Sequence, residues 1–144
     1  DTYSLLQFHF HTPSENIVNG KSYPMEMHMV HANKDGNLAV VGVMFEEAKK
    51  RNELLKKVLR ALPLESGDKN DFEAGVKAYN FLPESNEYYR FNGSLTTPPC
   101  SEGVKWFVMK EAVSLSRGQL KQFEDVMGKN NRPIQVTNSR PILK

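Results

Sequence analysis

His9-Phe10-His11 sets two imidazoles two residues apart in a stretch where polar and apolar residues alternate. In an extended strand that spacing puts both rings on one face, about 7 Å apart. His28 lies in a second alternating stretch, in phase with Glu26 and Val30. If the two stretches pair, two ligands from one strand and a third from its neighbour can form one corner of a tetrahedron. Three histidines with a fourth position open are the donor set of a catalytic zinc site, whereas structural zinc is usually closed by four protein ligands. An H-x-H pair alone fits a solvated strand edge or core filler equally well. The third in-phase histidine tips the reading to a metal. His31 falls on the opposite, methionine face and reads as a structural histidine.

Metal-bound imidazoles need a partner on their other ring nitrogen, which fixes tautomer and orientation. Gln7, two before His9, and Glu26, two before His28, share the ligands' phase and are candidates for that task. Taken singly, each would read as a surface polar residue on a strand.

The elements that must hold these rings can be read from periodicity. From Tyr3 to His11, Leu6, Phe8 and Phe10 share one parity and Gln7, His9 and His11 the other, predicting a strand with one apolar and one chemical face. Thr12-Pro13-Ser14 breaks it, and Asn19-Gly20 sets a turn. Tyr23 to Ala32 alternates again, with Met25, Met27 and Met29 opposed to Glu26, His28 and Val30. Asp35-Gly36-Asn37 turns the chain into a third apolar run, Leu38 to Phe45. Short turns between consecutive strands favour an antiparallel sheet.

Leu54, Leu55, Val58, Leu59 and Leu62 recur at helical spacing, with Pro63 ending the helix. A helical turn is expected near Phe72 to Ala78, and a strand from Val104 to Met109. A second helix starts at Ser116, with Gln119 as its capping-box partner, and buries Leu120, Phe123 and Met127. The class predicted is mainly β: a large, mostly antiparallel twisted sheet with a few peripheral helices, in one domain.

At 144 residues, 39% hydrophobic and 10% aromatic, the chain can bury a real core. Lys+Arg 19 against Asp+Glu 17 leaves a net charge of +2, which argues against a nucleic-acid surface. The densest basic stretch, Lys49-Lys50-Arg51 with Lys56, Lys57 and Arg60, reads as the solvated side of an amphipathic helix. No apolar run approaches the ~20 residues of a transmembrane helix. Asp1-Thr2 leads straight into a strand, as if cut into a domain, with no signal peptide in view.

Two segments stand out: Gln7-Phe8-His9-Phe10-His11 with Ser14-Glu15 and Glu26-Met27-His28-Met29-Val30-His31, and Gly93-Ser94-Leu95-Thr96-Thr97-Pro98-Pro99-Cys100. Together they resemble the α-class carbonic anhydrases, in the form of an exported, bacterial-type member. Val104-Lys105-Trp106 and Asn138-Ser139-Arg140-Pro141 follow in the family's order.

The resemblance implies that His9, His11 and His28 bind Zn2+, with Gln7, Glu26 and Asn138 behind them. It implies reversible hydration of carbon dioxide to bicarbonate and a proton, by attack of zinc-bound hydroxide. Thr96 and Glu15 would be the catalytic pair. The Thr96 hydroxyl would accept the hydroxide's hydrogen and donate its own to Glu15, while its N–H binds an oxygen of CO2 or of an anionic inhibitor. Thr97 would contact bicarbonate. Val30, Val40, Leu95, Val104 and Trp106 would form the apolar wall, though without the motifs all five read as ordinary core. Sulfonamides would be inhibitors, and the oligomeric state is left open, a dimer among the options. Pro98-Pro99 is expected to be cis. Asn16 stands where many animal members carry histidine, and no role is read into it.

Cys100 sits where exported members bridge to an N-terminal cysteine, implying a periplasmic or extracellular location and a disulfide; with no second cysteine here, either its partner lies outside these residues or the thiol is free. The family's domain is also longer, so an N-terminal part carrying the proton-shuttle histidine is expected upstream. These residues alone are then expected to leave a sheet edge unpaired, and to be unstable and nearly inactive. Asn92-Gly93-Ser94 matches a glycosylation sequon but lies in the active-site turn, so no sugar is expected.

Two other readings remain. In a cupin-like iron protein, Glu15 would join His9 and His11 as a ligand, leaving Glu26 and the Thr-Thr-Pro-Pro loop without a task. A carbonic-anhydrase-related binding module would have lost catalysis, usually with a zinc histidine, and all three histidines are present.

Overall fold

The computed structural model describes residues 1–62 and 76–144. Its framework is a six-stranded sheet ordered β1-β4-β5-β7-β6, with β8 also paired to β5. These strands are β1 (Ser4–His11), β4 (Met25–Ala32), β5 (Leu38–Ala48), β6 (Tyr88–Ser94), β7 (Glu102–Met109) and β8 (Val113–Ser116). Strands β2 (Ile17–Val18) and β3 (Lys21–Ser22) form a small hairpin around Asn19-Gly20, whose φ angles are 51° and 78°.

The pairs β1–β4, β4–β5 and β6–β7 are antiparallel. The sheet is nevertheless mixed. One edge of β5 takes two parallel partners in succession, β7 along Ala39–Gly42 and β8 along Phe45–Ala48. β6 and β8 have no counterpart among the strands predicted from periodicity.

Alternation within β4 and β5 divides the apolar residues between the two sheet faces. Met25, Met27, Met29, Val43 and Phe45 enter one core with Phe10, Leu55, Phe81, Leu115 and Phe123. Val30, Val40, Met44, Val104, Trp106 and Val108 form a second. Glu26 and His28, offset by one residue from the methionines, share the second face. Leu6 departs from the predicted apolar face: a register shift between Leu5 and Gln7 leaves it 61% exposed.

Two helices, α1 (Glu53–Ala61) and α2 (Arg117–Met127), cover the first core. Asn52 Oδ1 caps α1 by accepting from the N–H groups of Leu54 and Leu55, both at 3.0 Å. Ser116 and Gln119 form the predicted capping box on α2. Buried Gln119 also joins the helices, donating to the Asn52 carbonyl at 2.7 Å and accepting from its N–H at 2.9 Å. Of the basic stretch, only Lys56, Lys57 and Arg60 belong to α1; Lys49-Lys50-Arg51 lie exposed in the preceding connection. Pro63 and most of the expected turn at Phe72–Ala78 fall outside the described residues, and Ala78–Phe81 forms a 3-10 turn.

Phe123 is fully buried, with its ring 5.1 Å from that of Phe10. Phe123→Ala is expected to cost about 3–5 kcal/mol. Urea denaturation should show it as a lower midpoint with an unchanged slope.

Candidate metal centre

The antiparallel register sets His9 opposite His28, so the three rings meet across β1 and β4. Ring centroids lie 4.9 Å apart for His9–His11, 5.3 Å for His9–His28 and 4.6 Å for His11–His28. One nitrogen from each lies within 4.8 Å of the others.

The rings are braced from behind. His9 Nδ1 is 2.8 Å from Gln7 Oε1. His11 Nδ1 lies 3.3 Å from the Asn130 carbonyl and 3.4 Å from Glu15 Oε1. His28 Nε2 is 3.0 Å from Glu26 Oε1, in close polar contact. These contacts leave Nε2 of His9 and of His11 buried without a partner among the described residues. Unpaired buried nitrogens are costly in protein interiors, and a divalent cation would satisfy both at once. Burial first, then the neighbouring rings of His28 and His11, push the His9 imidazole down to about 4. Burial and His28 also lower His11, against the opposing pull of Glu15. Both are therefore neutral at neutral pH, the form that ligates zinc. The donor set fits zinc.

Glu26 is fully buried and organises the far side of the site. Its Oε2 accepts from the backbone N–H groups of Glu15 and Asn16, each at 2.9 Å, and its Oε1 from Asn16 Nδ2 at 2.7 Å. Burial opposes its charge, but His28 and these donors outweigh it and hold the carboxyl below its usual range. Gly42 makes the room: a Cβ there would sit 3.0 Å from Glu26 Oε1 and 3.4 Å from Val108 Cγ2.

Glu15, its side chain 3% exposed, reaches toward His11, and its Oε1 accepts from the Arg132 N–H at 2.7 Å. Its Oε2 is buried without a hydrogen-bond partner among the described residues. Thr96 shares with Glu15 a cavity of about 340 Å3, also lined by Ser94, Phe91, Trp106 and Arg132. The two are thus brought together, although the hydroxyl-to-carboxylate bond expected from the resemblance is not among the hydrogen bonds formed. Thr97 is exposed beside Pro98-Pro99, whose bond is cis. Val30, Val40, Val104 and Trp106 are buried in one cluster with Leu95 packed against it, and the Trp106 ring lies 4.8 Å from that of His28. His31 bonds the Met29 carbonyl through Nδ1 at 2.9 Å, away from the other three.

One expected position is corrected. Asn138 lies exposed in a turn at φ 49°, and the carbonyl beside His11 is that of Asn130. The pattern N-x-R-P occurs twice, as Asn130-Asn131-Arg132-Pro133 and Asn138-Ser139-Arg140-Pro141. The structure brings the first copy to the site. Arg132 and Asn16 were also missed as site residues; a polar side chain next to Glu15 was the available signal for Asn16. Cys100 is the one cysteine of these residues, so no partner for the expected disulfide lies among them.

The family model described as eukaryotic-type carbonic anhydrase matches residues 1–144. The chain belongs to this carbonic anhydrase family. A carbonic anhydrase of Pectobacterium carotovorum is 46% identical over 144 residues, covering 99% of this chain and 59% of the relative. One from Neisseria gonorrhoeae is 42% identical, with 99% and 56% covered. The α-carbonic anhydrase of Thermovibrio ammonificans, solved with the inhibitor sulfanilamide, superposes with a TM-score of 0.95 at 53% identity, covering 99% of this chain and 63% of that one. That of Photobacterium profundum gives 0.95 at 50%, covering 99% and 65%. The chain thus spans about 59% of the length of the Pectobacterium relative.

Glu26→Gln should weaken zinc binding about 10–100-fold, because it removes the charge behind His28 while keeping the side chain's shape. Competition against a chelator measures this, and wild-type affinity would contradict the bracing role. Gly42→Ala should destabilise the protein by about 1–3 kcal/mol through crowding of Glu26, read as a lower thermal midpoint.

Proposed function

We propose that the protein of which these residues are part catalyses the zinc-dependent, reversible hydration of carbon dioxide to bicarbonate and a proton. The observation that carries this is the convergence of three imidazoles beside a buried carboxyl group and an apolar wall. His9, His11 and His28 would hold Zn2+, which when bound supplies the Lewis acidity that brings the pKa of water to about 7.

The chain's own residues then divide the remaining work. Glu15, held through Oε1 by the Arg132 N–H, offers Oε2 as an acceptor. The Thr96 hydroxyl, in the same cavity, would donate to it in the working site, leaving its oxygen free to accept from the attacking water. That one-way chain aims a lone pair at carbon. The apolar side chains of Val30, Val40, Leu95, Val104 and Trp106 hold CO2 by packing, which suits a substrate without charge. The Thr96 N–H takes the oxygen that gains charge as the C–O bond forms, and Thr97 contacts the bicarbonate. Water's oxygen adds to carbon, one proton leaves, and charge balances as HCO3⁻ plus H+. Anions and sulfonamides would compete at the same place.

Two coarser readings accompany this one. Residues 1–144 belong to a single domain of the family, and the protein works in the periplasm or outside the cell, which the position of Cys100 after the two prolines supports. Cell fractionation tests the location, since recovery in the cytoplasmic fraction would reject it.

Stopped-flow CO2 hydration by the full-length, zinc-loaded protein tests the activity. Sulfonamide-sensitive hydration is expected, lost on chelation and regained with zinc. Thr96→Val and Glu15→Gln should each lower kcat/KM by about 100-fold or more. Zinc-loaded protein with no hydration activity would refute the assignment.

A further inference from the structure

Asn130 meets β1 with four hydrogen bonds concentrated on three consecutive residues. Its N–H donates to the Thr12 carbonyl at 3.2 Å. Its Oδ1 accepts from the Thr12 N–H at 2.9 Å, and its Nδ2 donates to the Phe10 carbonyl at 3.1 Å. Its own carbonyl stands 3.3 Å from His11 Nδ1. One edge of β1 pairs with β4. The Phe10 carbonyl and Thr12 N–H are bonded instead by this single side chain.

A side-chain amide carries an acceptor and donors, as a peptide unit does. Asn130 therefore supplies to β1 what one residue of a neighbouring strand would supply. The two backbone groups it holds flank His11 on either side. Fixing them fixes the peptide planes around the ligand, and with them the direction of its Cα–Cβ bond. Asn130 is itself exposed, so water competes for each bond singly. The ordering comes from four bonds closing on one short segment. Thr12 Oγ1 adds a further tie by donating to the Gly128 carbonyl at 2.6 Å.

We propose that the Asn130 side-chain amide is a positioning residue for His11, clamping the backbone on either side of the ligand. The side chain has to be an amide. Aspartate has no donor for the Phe10 carbonyl and sets a charge against it, and alanine keeps the carbonyl at His11 but removes the clamp. The inference rests on the metal-site reading and not on the reaction proposed above.

The test compares zinc dissociation from full-length wild-type protein and from Asn130→Ala and Asn130→Asp, with the visible spectrum of each Co2+-substituted form. Both variants are expected to lose zinc about 10–100-fold faster and to show an altered Co2+ spectrum. A purely structural role would lower the unfolding midpoint of the metal-free protein and leave zinc dissociation and the spectrum at wild-type values; that result overturns the proposal. Amide exchange on the unsubstituted protein gives a check that does not depend on a variant folding. The Thr12 N–H should be protected together with the β1–β4 amides, and exchange at the free-peptide rate overturns the clamp. Wild-type protein that binds no zinc would overturn the metal-site reading and this inference together. Tight zinc held equally by wild type and variants would overturn this inference alone.

Discussion

The register of β1 against β4, with His9 opposite His28, is the constraint on which the site depends. Side chains alternate faces along a strand, so a slip of one residue would carry His28 to the methionine side and Met27 into the site. Two cores hold the register. Met25, Met27 and Met29 fill one side of β4, and Val30 with the Trp106 cluster fills the other. The packing that stabilises the sheet is thus the same packing that aims the ligands.

Satisfying buried polar groups is the second requirement. Glu26 is fully buried, and a buried carboxylate needs donors to stay charged. It finds them in the backbone of residues 15 and 16 and in the Asn16 amide. This arrangement also fixes the turn that delivers Glu15 to the site. Gly42 on β5 completes it by leaving space. One carboxylate therefore links a ligand, a turn and the neighbouring strand, and holds the Glu15 backbone on the side that Thr96 also lines.

Much of this was legible in the residues. Parity alone put His9, His11 and His28 on one face, set His31 apart, and singled out Gln7 and Glu26 as braces. The capping box at Ser116 and Gln119 was equally local. The misread elements have physical causes. Leu6 left its predicted face because a bulge shifts the register after Leu5. The parallel pairing of β5 with β7 and β8 leaves no mark in alternation, because the partners lie far apart in sequence.

The sequence by itself determined the ligand set and its phase, because strand geometry repeats every two residues and needs no knowledge of distant contacts. Tertiary structure decided which of two identical N-x-R-P patterns serves the site. Asn130 and His11 are 119 residues apart, and no local period connects them. The path of the C-terminal segment brings Asn130 against the edge of β1 and leaves Asn138 in an exposed turn. That choice depends on how the whole chain packs, since the two tetrapeptides offer the same chemistry.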